Sequence, residues 1–318
     1  MKRFFCKCGL LFIIAVVLVL VFNALYLRTN YWKSENNMNR FVDIPYNLEL
    51  GNVGSSHTTY GIDWRAVPEI RAWNLALSSQ PYFYDHAVLK NYIDHFSENA
   101  VVVICLSYFE IDRVPDYAPY RARYYRILPK DDLDSWSRKE DIVYRLVPFL
   151  SAGNNTIKIV HDIPPEQMSP YFNRGSYLEG NELYDYCVNK HESWTTHPRP
   201  TTPQEDYAQN LEQVSAIIEL CHAHRLRPVL ITTPITDVLN AIYDEKTPEF
   251  FTTFRQFSAD LCERYPDVPY FDYSHDETFS ARHELFTDGD HLNNAGASLF
   301  TKTLVADLRR TGILAEAE

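Results

Sequence analysis

The sequence predicts a three-layer α/β/α sandwich with a mostly parallel sheet, preceded by one N-terminal transmembrane helix. Three observations predict it. An uncharged apolar run follows basic residues at the N-terminus. Further on, short apolar runs alternate with segments of helical spacing, the pattern of a βα-repeating body. One of those runs, Val101-Val102-Val103-Ile104-Cys105-Leu106, is apolar at every position, as in a strand covered on both faces.

The membrane segment comes first. Lys2, Arg3 and Lys7 precede an apolar run from Gly9 to Leu27, and its central part, Leu10 to Phe22, carries no charge. About 18–20 apolar residues span a bilayer as a helix. A buried core helix is a poor alternative, because core helices are seldom apolar on every face. The basic flank predicts a cytoplasmic N-terminus and a body on the extracytoplasmic side. A cleaved signal peptide would need a small-x-small site, which Asn23-Ala24-Leu25-Tyr26-Leu27-Arg28 lacks, so an uncleaved anchor is expected. Cys6 and Cys8 lie beside it and are candidates for acylation. The organisation is therefore an anchor over 1–27, a polar, aperiodic stalk over 28–44, and an α/β domain over 45–318 with an insertion at about 110–203.

Within the domain, Tyr46–Val53 reads as a strand that delivers the turn Gly54-Ser55-Ser56-His57 and then a helix. A short strand is expected at Ala72–Leu77, a helix at Tyr84–Phe96, and the strand at Val101–Leu106. Residues 110–205 are rich in Tyr, Pro, Asp and Arg, with a helical piece at Glu140–Leu150 and loops at Pro164-Pro165 and Thr196–Pro203. Order returns with a helix from Gln204 to His224, whose apolar face is Leu211, Val214, Ile217, Ile218 and Cys221. Strand Arg227–Thr232, helix Pro248–Tyr265, strand Pro269–Asp272 and helix Asn294–Arg310 complete the alternation.

Composition narrows the function. A formal charge of −12 disfavours nucleic acid and anionic headgroups as principal partners of the body, and no nucleic-acid-binding motif occurs. The 22 tyrosines suit a groove for sugars or other polar ligands as well as an aromatic core. Of the four cysteines in the body, Cys105 lies in an apolar strand as a buried thiol. Cys187, Cys221 and Cys262 are open to pairing, and no C-x-x-C pair suggests zinc or thiol-redox chemistry. His222 and His224 fall on a helix surface, His161-Asp162 and His275-Asp276 are isolated pairs, and no set has metal-ligand spacing. Asn154-Asn155-Thr156 fits a glycosylation sequon.

Two segments carry candidate chemistry. A strand end entering a helix exposes a hydroxyl on a rigid turn with backbone N–H groups nearby, which Gly54-Ser55-Ser56-His57 would provide. The plain alternative for such a serine is a helix N-cap. Far downstream, Asp288 and His291 are three residues apart before a helix. That spacing lets a carboxylate accept the imidazole Nδ1–H while Nε2 points outward. Asp290 competes with Asp288 for this role, and a solvated acidic loop is the plain alternative.

Together, Gly-x-Ser after the first strand of the body and Asp288-Gly289-Asp290-His291-Leu292-Asn293-Asn294-Ala295-Gly296 resemble the SGNH/GDSL hydrolase superfamily. The resemblance is specific at its two ends and extends over 46–310 by the order of elements. It implies an SGNH/flavodoxin-like sheet, Ser56 as nucleophile, and His291 and Asp288 as its relay. Ser55 stands where the family has aspartate. The Gly-Ser-Ser form is similar to membrane-anchored members that move acyl groups on envelope polymers, among them the D-alanyl transfer protein of teichoic acids. The alginate O-acetylation proteins share the general layout.

Two blocks depart from the family pattern. Ser79 replaces the glycine whose N–H helps hold the oxyanion, and a backbone N–H survives that change. Ser107 follows the Val101 strand where Gly-x-Asn-Asp is usual; either its hydroxyl donates in place of the asparagine or that donor is missing, and an ordinary strand-end serine is the plain alternative. Losing one donor costs about 3 kcal/mol of transition-state stabilisation. His57 follows the nucleophile as a candidate substrate contact. The resemblance implies an acyl-enzyme mechanism without metal or organic cofactor, on an acyl-bearing envelope glycan or polymer, with a membrane-bound acyl donor as a candidate partner. The rival expectations are an SGNH-fold protein that only binds glycan or a membrane partner, and a tethered scaffold.

Overall fold

The computed structural model describes residues 1–29, 32, 38–41, 43–111, 120–151, 177–196 and 202–315. They form two compact units, Met1–Val42 with Tyr117–Pro170, and Asp43–Asp116 with Tyr171–Glu318. Residues 30, 31, 33–37 and 42 of the expected stalk lie outside the described residues, as do the sequon at Asn154, the His161-Asp162 pair and Pro164-Pro165.

The larger unit is built on a five-stranded, wholly parallel sheet: β1 (Leu48–Val53), β2 (Ala72–Asn74), β3 (Phe96–Cys105), β4 (Arg227–Thr232) and β5 (Tyr270–Asp272). The strand order is β2-β1-β3-β4-β5. Chain progression reverses between β1 and β3. In such doubly wound sheets ligands bind at the carboxyl ends of the strands flanking that reversal. The continuous apolar run of β3 has the expected cause: Val101 to Cys105 are all buried because both faces are covered. On one face Leu50, Val101, Val103, Cys105, Val229 and Ile231 share a core with Phe300, Leu304, Val305 and Leu308 of the last helix, α11 (Asn294–Arg310). On the other, α3 (Tyr82–Tyr92) packs on α7 (Pro203–Ala223), which reaches β4. The three-layer α/β/α expectation holds.

The helices follow local rules. Thr202 and Glu205 form a reciprocal capping box at the start of α7, with Pro203 in the first turn. Asn293 caps α11, accepting the N–H groups of Ala295 and Gly296. Gly296 has no room for a side chain, since a Cβ would stand 2.1 Å from the Leu285 carbonyl oxygen. The glycine and asparagine of the C-terminal motif thus hold the loop to the helix.

Some boundaries differ from expectation. The helix read over Tyr84–Phe96 ends at Tyr92, and β3 begins at Phe96. Beyond β2, Leu75 and Leu77 N–H groups still bond to the Asn52 and Gly54 carbonyls, so the run to Leu77 stays beside β1. Helices α6 (Gly180–Thr196) and α8 (Asp237–Lys246) pack on each other, α9 (Glu249–Arg264) packs on α8 and α7, and α2 (Ser56–Gly61) and α10 (Glu277–Ser280) are short. The helices α6 and α8 were not expected. All six cysteines are free thiols.

The smaller unit holds α1 (Lys2–Tyr26), α4 (Arg121–Ile127) and α5 (Arg138–Leu146). The expected insertion therefore contributes α4 and α5 to this unit and α6 to the other. Among the described residues, α1 is the one helix long and apolar enough to cross a membrane, over Phe4–Tyr26. Leu10 to Leu18 and Leu20 to Phe22 are exposed, whereas Asn23 and Tyr26 near its end are buried. Tyr26 packs on Trp32, and the Asn23 side chain accepts the Phe149 N–H at 3.1 Å. Helix α5 ends at Leu146, with Val147 as its C-cap immediately before Pro148.

Candidate active site

The turn after β1 is a crowded one. Gly54 has φ +137°, and a Cβ there would meet Thr58 Oγ1 at 2.5 Å and Cys105 Cβ at 2.9 Å. Only glycine satisfies both the backbone and the space. Its N–H donates to Asp85 Oδ1 at 2.8 Å. Ser55 is then buried, and Ser56, the first residue of α2, is half-exposed. A second network ties the turn to its neighbours. Asn52 donates to Asn74 Oδ1 at 2.9 Å, and Asn74 donates to the Thr58 carbonyl at 2.9 Å.

The loop between β5 and α11 brings the other groups. His291 Nε2 lies 2.9 Å from Ser56 Oγ, and His291 Nδ1 lies 2.9 Å from Asp288 Oδ2. Asp288 Oδ1 also accepts the backbone N–H groups of Asp290 and His291, at 3.1 and 2.9 Å. Burial alone would raise the Asp288 carboxyl, but the His291 charge and hydrogen bond hold it below the ordinary range. The structure brings Ser56, His291 and Asp288 into one hydrogen-bonded row, with Ser56 and His291 235 residues apart in the chain.

Asp290 does not diverge from its neighbour as adjacent residues usually do. It is buried, accepts Tyr108 OH at 2.6 Å, lies 3.1 Å from His57 Nε2, and pairs with Lys190. Its Oδ1 is 3.4 Å from His291 Nδ1, behind Asp288. Burial opposes its charge, but Lys190, His291 and His57 together hold the carboxyl well below the ordinary range. Helix α6 supplies Lys190 and, one turn earlier, Tyr186, whose hydroxyl donates to Asp288 Oδ2 at 3.3 Å. Residues four apart share a helix face, so one helix grips both acids. Neither tyrosine nor lysine was singled out in the sequence, because nothing local marks them. Their i, i+4 spacing acquires meaning only once α6 is placed.

The remaining candidates separate. His57, expected as a candidate substrate contact, is 3% exposed, and its two nitrogens face Thr233 Oγ1 at 3.2 Å and Asp290. Burial pushes its pKa down, with the Asp290 charge only partly opposing. Its place in the first turn of α2 points the ring inward. Ser107 is also buried, and its Oγ lies 3.1 Å from Ser55 Oγ, so its hydroxyl is directed beneath the turn instead of toward the exposed side of Ser56. Ser79 is half-buried at φ +52°, two residues past Leu77, whose N–H reaches the Gly54 carbonyl. That left-handed backbone is one glycine accepts without strain.

Beneath the turn lie two buried acids. Burial raises Asp85 to about 7 against the hydrogen bonds from Gln80 and Gly54. Burial and then the Asp85 charge push Glu110 well above the ordinary carboxylate range, against the effect of the Ser55 hydroxyl. At the opposite, amino-terminal end of the strands an open depression is lined by Asn47, Glu49, Glu69, Arg71 and Ser97, away from Ser56.

His57, Asp290 and His291 place ligand atoms within 4.8 Å of one another. Lys190 on Asp290 opposes a cation there, and the two rings are already engaged by carboxylates. The donor chemistry fits proton relay better than metal binding.

No family model and no curated protein matches this chain. Among solved structures it is similar to the crystal structure of a "putative acylhydrolase" from Bacteroides fragilis. That match has 10% sequence identity and a TM-score of 0.40, and it covers 86% of this chain and 94% of the other.

Proposed function

We propose that this protein is a serine esterase or acyltransferase of SGNH/GDSL type, held at a membrane by α1 and acting on acyl esters of an extracytoplasmic, envelope glycan or polymer. The observation that carries the reading is the Ser56–His291–Asp288 row at the carboxyl end of β1. A hydroxyl 2.9 Å from an imidazole nitrogen, with a carboxylate on the other nitrogen, is the geometry of an activated nucleophile.

In this reaction Ser56 Oγ attacks the acyl carbonyl carbon while its proton passes to His291 Nε2. Asp288 holds the imidazole with Nδ1 protonated and stabilises the imidazolium. Backbone N–H groups of Ser56 and Ser79 face the oxyanion. The imidazolium then protonates the departing alcohol, leaving an acyl-enzyme. Water or a sugar hydroxyl, deprotonated by the same histidine, takes the acyl group and frees Ser56. Hydrolysis and transfer differ only in that acceptor. A membrane-bound acyl donor is the partner that would suit transfer.

The membrane part of the proposal is supported by the last turn of α1. Tyr26 is 1% and Asn23 9% exposed because residues 120–151 pack on them, so this helix end belongs to a folded unit and suits an uncleaved anchor.

The test is covalent labelling by a fluorophosphonate probe. The parent chain should label and Ser56→Ala should not. Undiminished labelling of Ser56→Ala would remove Ser56 from the reaction, and absence of labelling in the parent would favour a protein that only binds.

A further inference from the structure

We propose that the segment Trp136–Leu150 is a second membrane contact, an interfacial element lying in the headgroup layer beside the point where α1 leaves the bilayer. It rests on the reading of α1 as an uncleaved anchor.

The depth of the segment is set by one residue. The Phe149 ring stacks on Phe22, with centroids 5.6 Å apart and planes within 14°, and its N–H donates to Asn23 Oδ1. It also meets Tyr26 edge-on at 6.2 Å. Phe22 and Asn23 belong to the last turn of the apolar span Phe4–Tyr26. At 1.5 Å of rise per residue, Phe22 is about 6 Å below Tyr26, at the edge of the hydrocarbon. Phe149 is therefore held at that edge. Leu150 is its bonded neighbour and Leu146 is three residues away, so both lie within about 11 Å of the same depth in whatever direction the chain runs.

Their side chains suit that depth. Leu146 is 67%, Leu150 54% and Ile142 51% exposed, and none of the nine residues of α5 is buried. Ile142 and Leu146 are four apart and share a helix face. Trp136, 43% exposed, precedes the helix, as aromatic residues do at membrane interfaces. The charges agree. Trp136–Leu150 holds three Lys and Arg against two Asp and Glu, in a chain whose formal charge is −12. The Arg126 guanidinium sits over the Trp32 ring at 5.1 Å, and Arg145, near the end of α5, pairs with Asp141 at 2.6 Å. The exposed leucines and their continuity with the span favour lipid over a protein partner.

Photo-crosslinking of the full chain in proteoliposomes of phosphatidylcholine and phosphatidylglycerol tests this. Benzoylphenylalanine is placed singly at Leu146, Leu150, Val16 and the exposed Lys302 of α11. All four side chains are exposed or on the bare flank of α1, so the probe disturbs no packing. The expected result is lipid adducts at Leu146 and Leu150 comparable with those at Val16 and several-fold above Lys302. Adducts at Val16 with only background at Leu146 and Leu150 would overturn the interfacial contact while leaving the anchor standing. Background at Val16 as well would overturn both. Adducts to protein in place of lipid at Leu146 and Leu150 would assign the face to a protein partner and overturn the proposal.

Discussion

Replacing Asp85 with Asn should make the protein more stable above neutral pH and remove part of its pH dependence. Asp85 is fully buried, and its Oδ1 accepts the Gly54 N–H at 2.8 Å and the Gln80 amide at 2.7 Å. Among the described residues its Oδ2 has no hydrogen-bond partner. Burial raises its pKa from 3.8 to about 7. The folded chain therefore holds this proton more tightly than the unfolded chain does. The contribution of the neutral acid is full below pH about 4 and falls away as pH rises to about 7, beyond which it is flat. The interval corresponds to about 4 kcal/mol, since one pKa step is worth about 1.4 kcal/mol. Asparagine is the isostere of the neutral acid. Its carbonyl oxygen keeps both bonds, and it cannot ionise. Urea unfolding of the detergent-solubilised full chain from pH 5 to 8.5 should show the parent losing stability against Asp85→Asn across this window. The difference should be largest above pH 7. Parallel curves over the whole range would refute the reasoning. Asp85→Ala separates the two roles: it also removes the titration but leaves the Gly54 N–H buried and unpaired, at a cost of about 1–3 kcal/mol.

Three further outcomes follow from the site. Asp288→Asn should slow fluorophosphonate labelling of Ser56 by about four orders of magnitude, because the amide favours the wrong imidazole tautomer; unchanged labelling would remove Asp288 from the relay. Lys190→Met leaves the buried Asp290 charge, 3.4 Å from His291 Nδ1, without its counter-ion. The acid limb of the labelling-rate profile should then move to higher pH by about one unit, with Lys190→Arg restoring it; an unmoved limb would make the lysine purely structural. Gly54→Ala adds a methyl at φ +137° against Thr58 and Cys105, so thermal unfolding should fall by several degrees and labelling should drop; a variant of parental stability would show that the turn relaxes.

The sequence by itself determined the parts whose signal is local. The uninterrupted apolar run of α1 marks a helix long and apolar enough to cross a membrane, and the all-apolar stretch of β3 marks burial between two helical layers, because each residue's hydropathy reports its own environment. The capping pattern Thr202–Glu205 and the Asn293–Gly296 loop end are likewise set by nearest neighbours in the chain. Ser56 and the Asp288–His291 spacing were legible as turn and loop chemistry. Only the tertiary structure decided what faces them. It turned His57 inward, since a first-turn side chain of α2 meets Asp290 from a loop more than 200 residues away. It placed the Ser107 hydroxyl on Ser55, beneath the turn. It also brought α6 across the loop, so that Tyr186 and Lys190 reach two carboxylates whose neighbourhood no local pattern encodes. Electrostatic partnership depends on distance in space and on burial, and neither quantity is written along the chain.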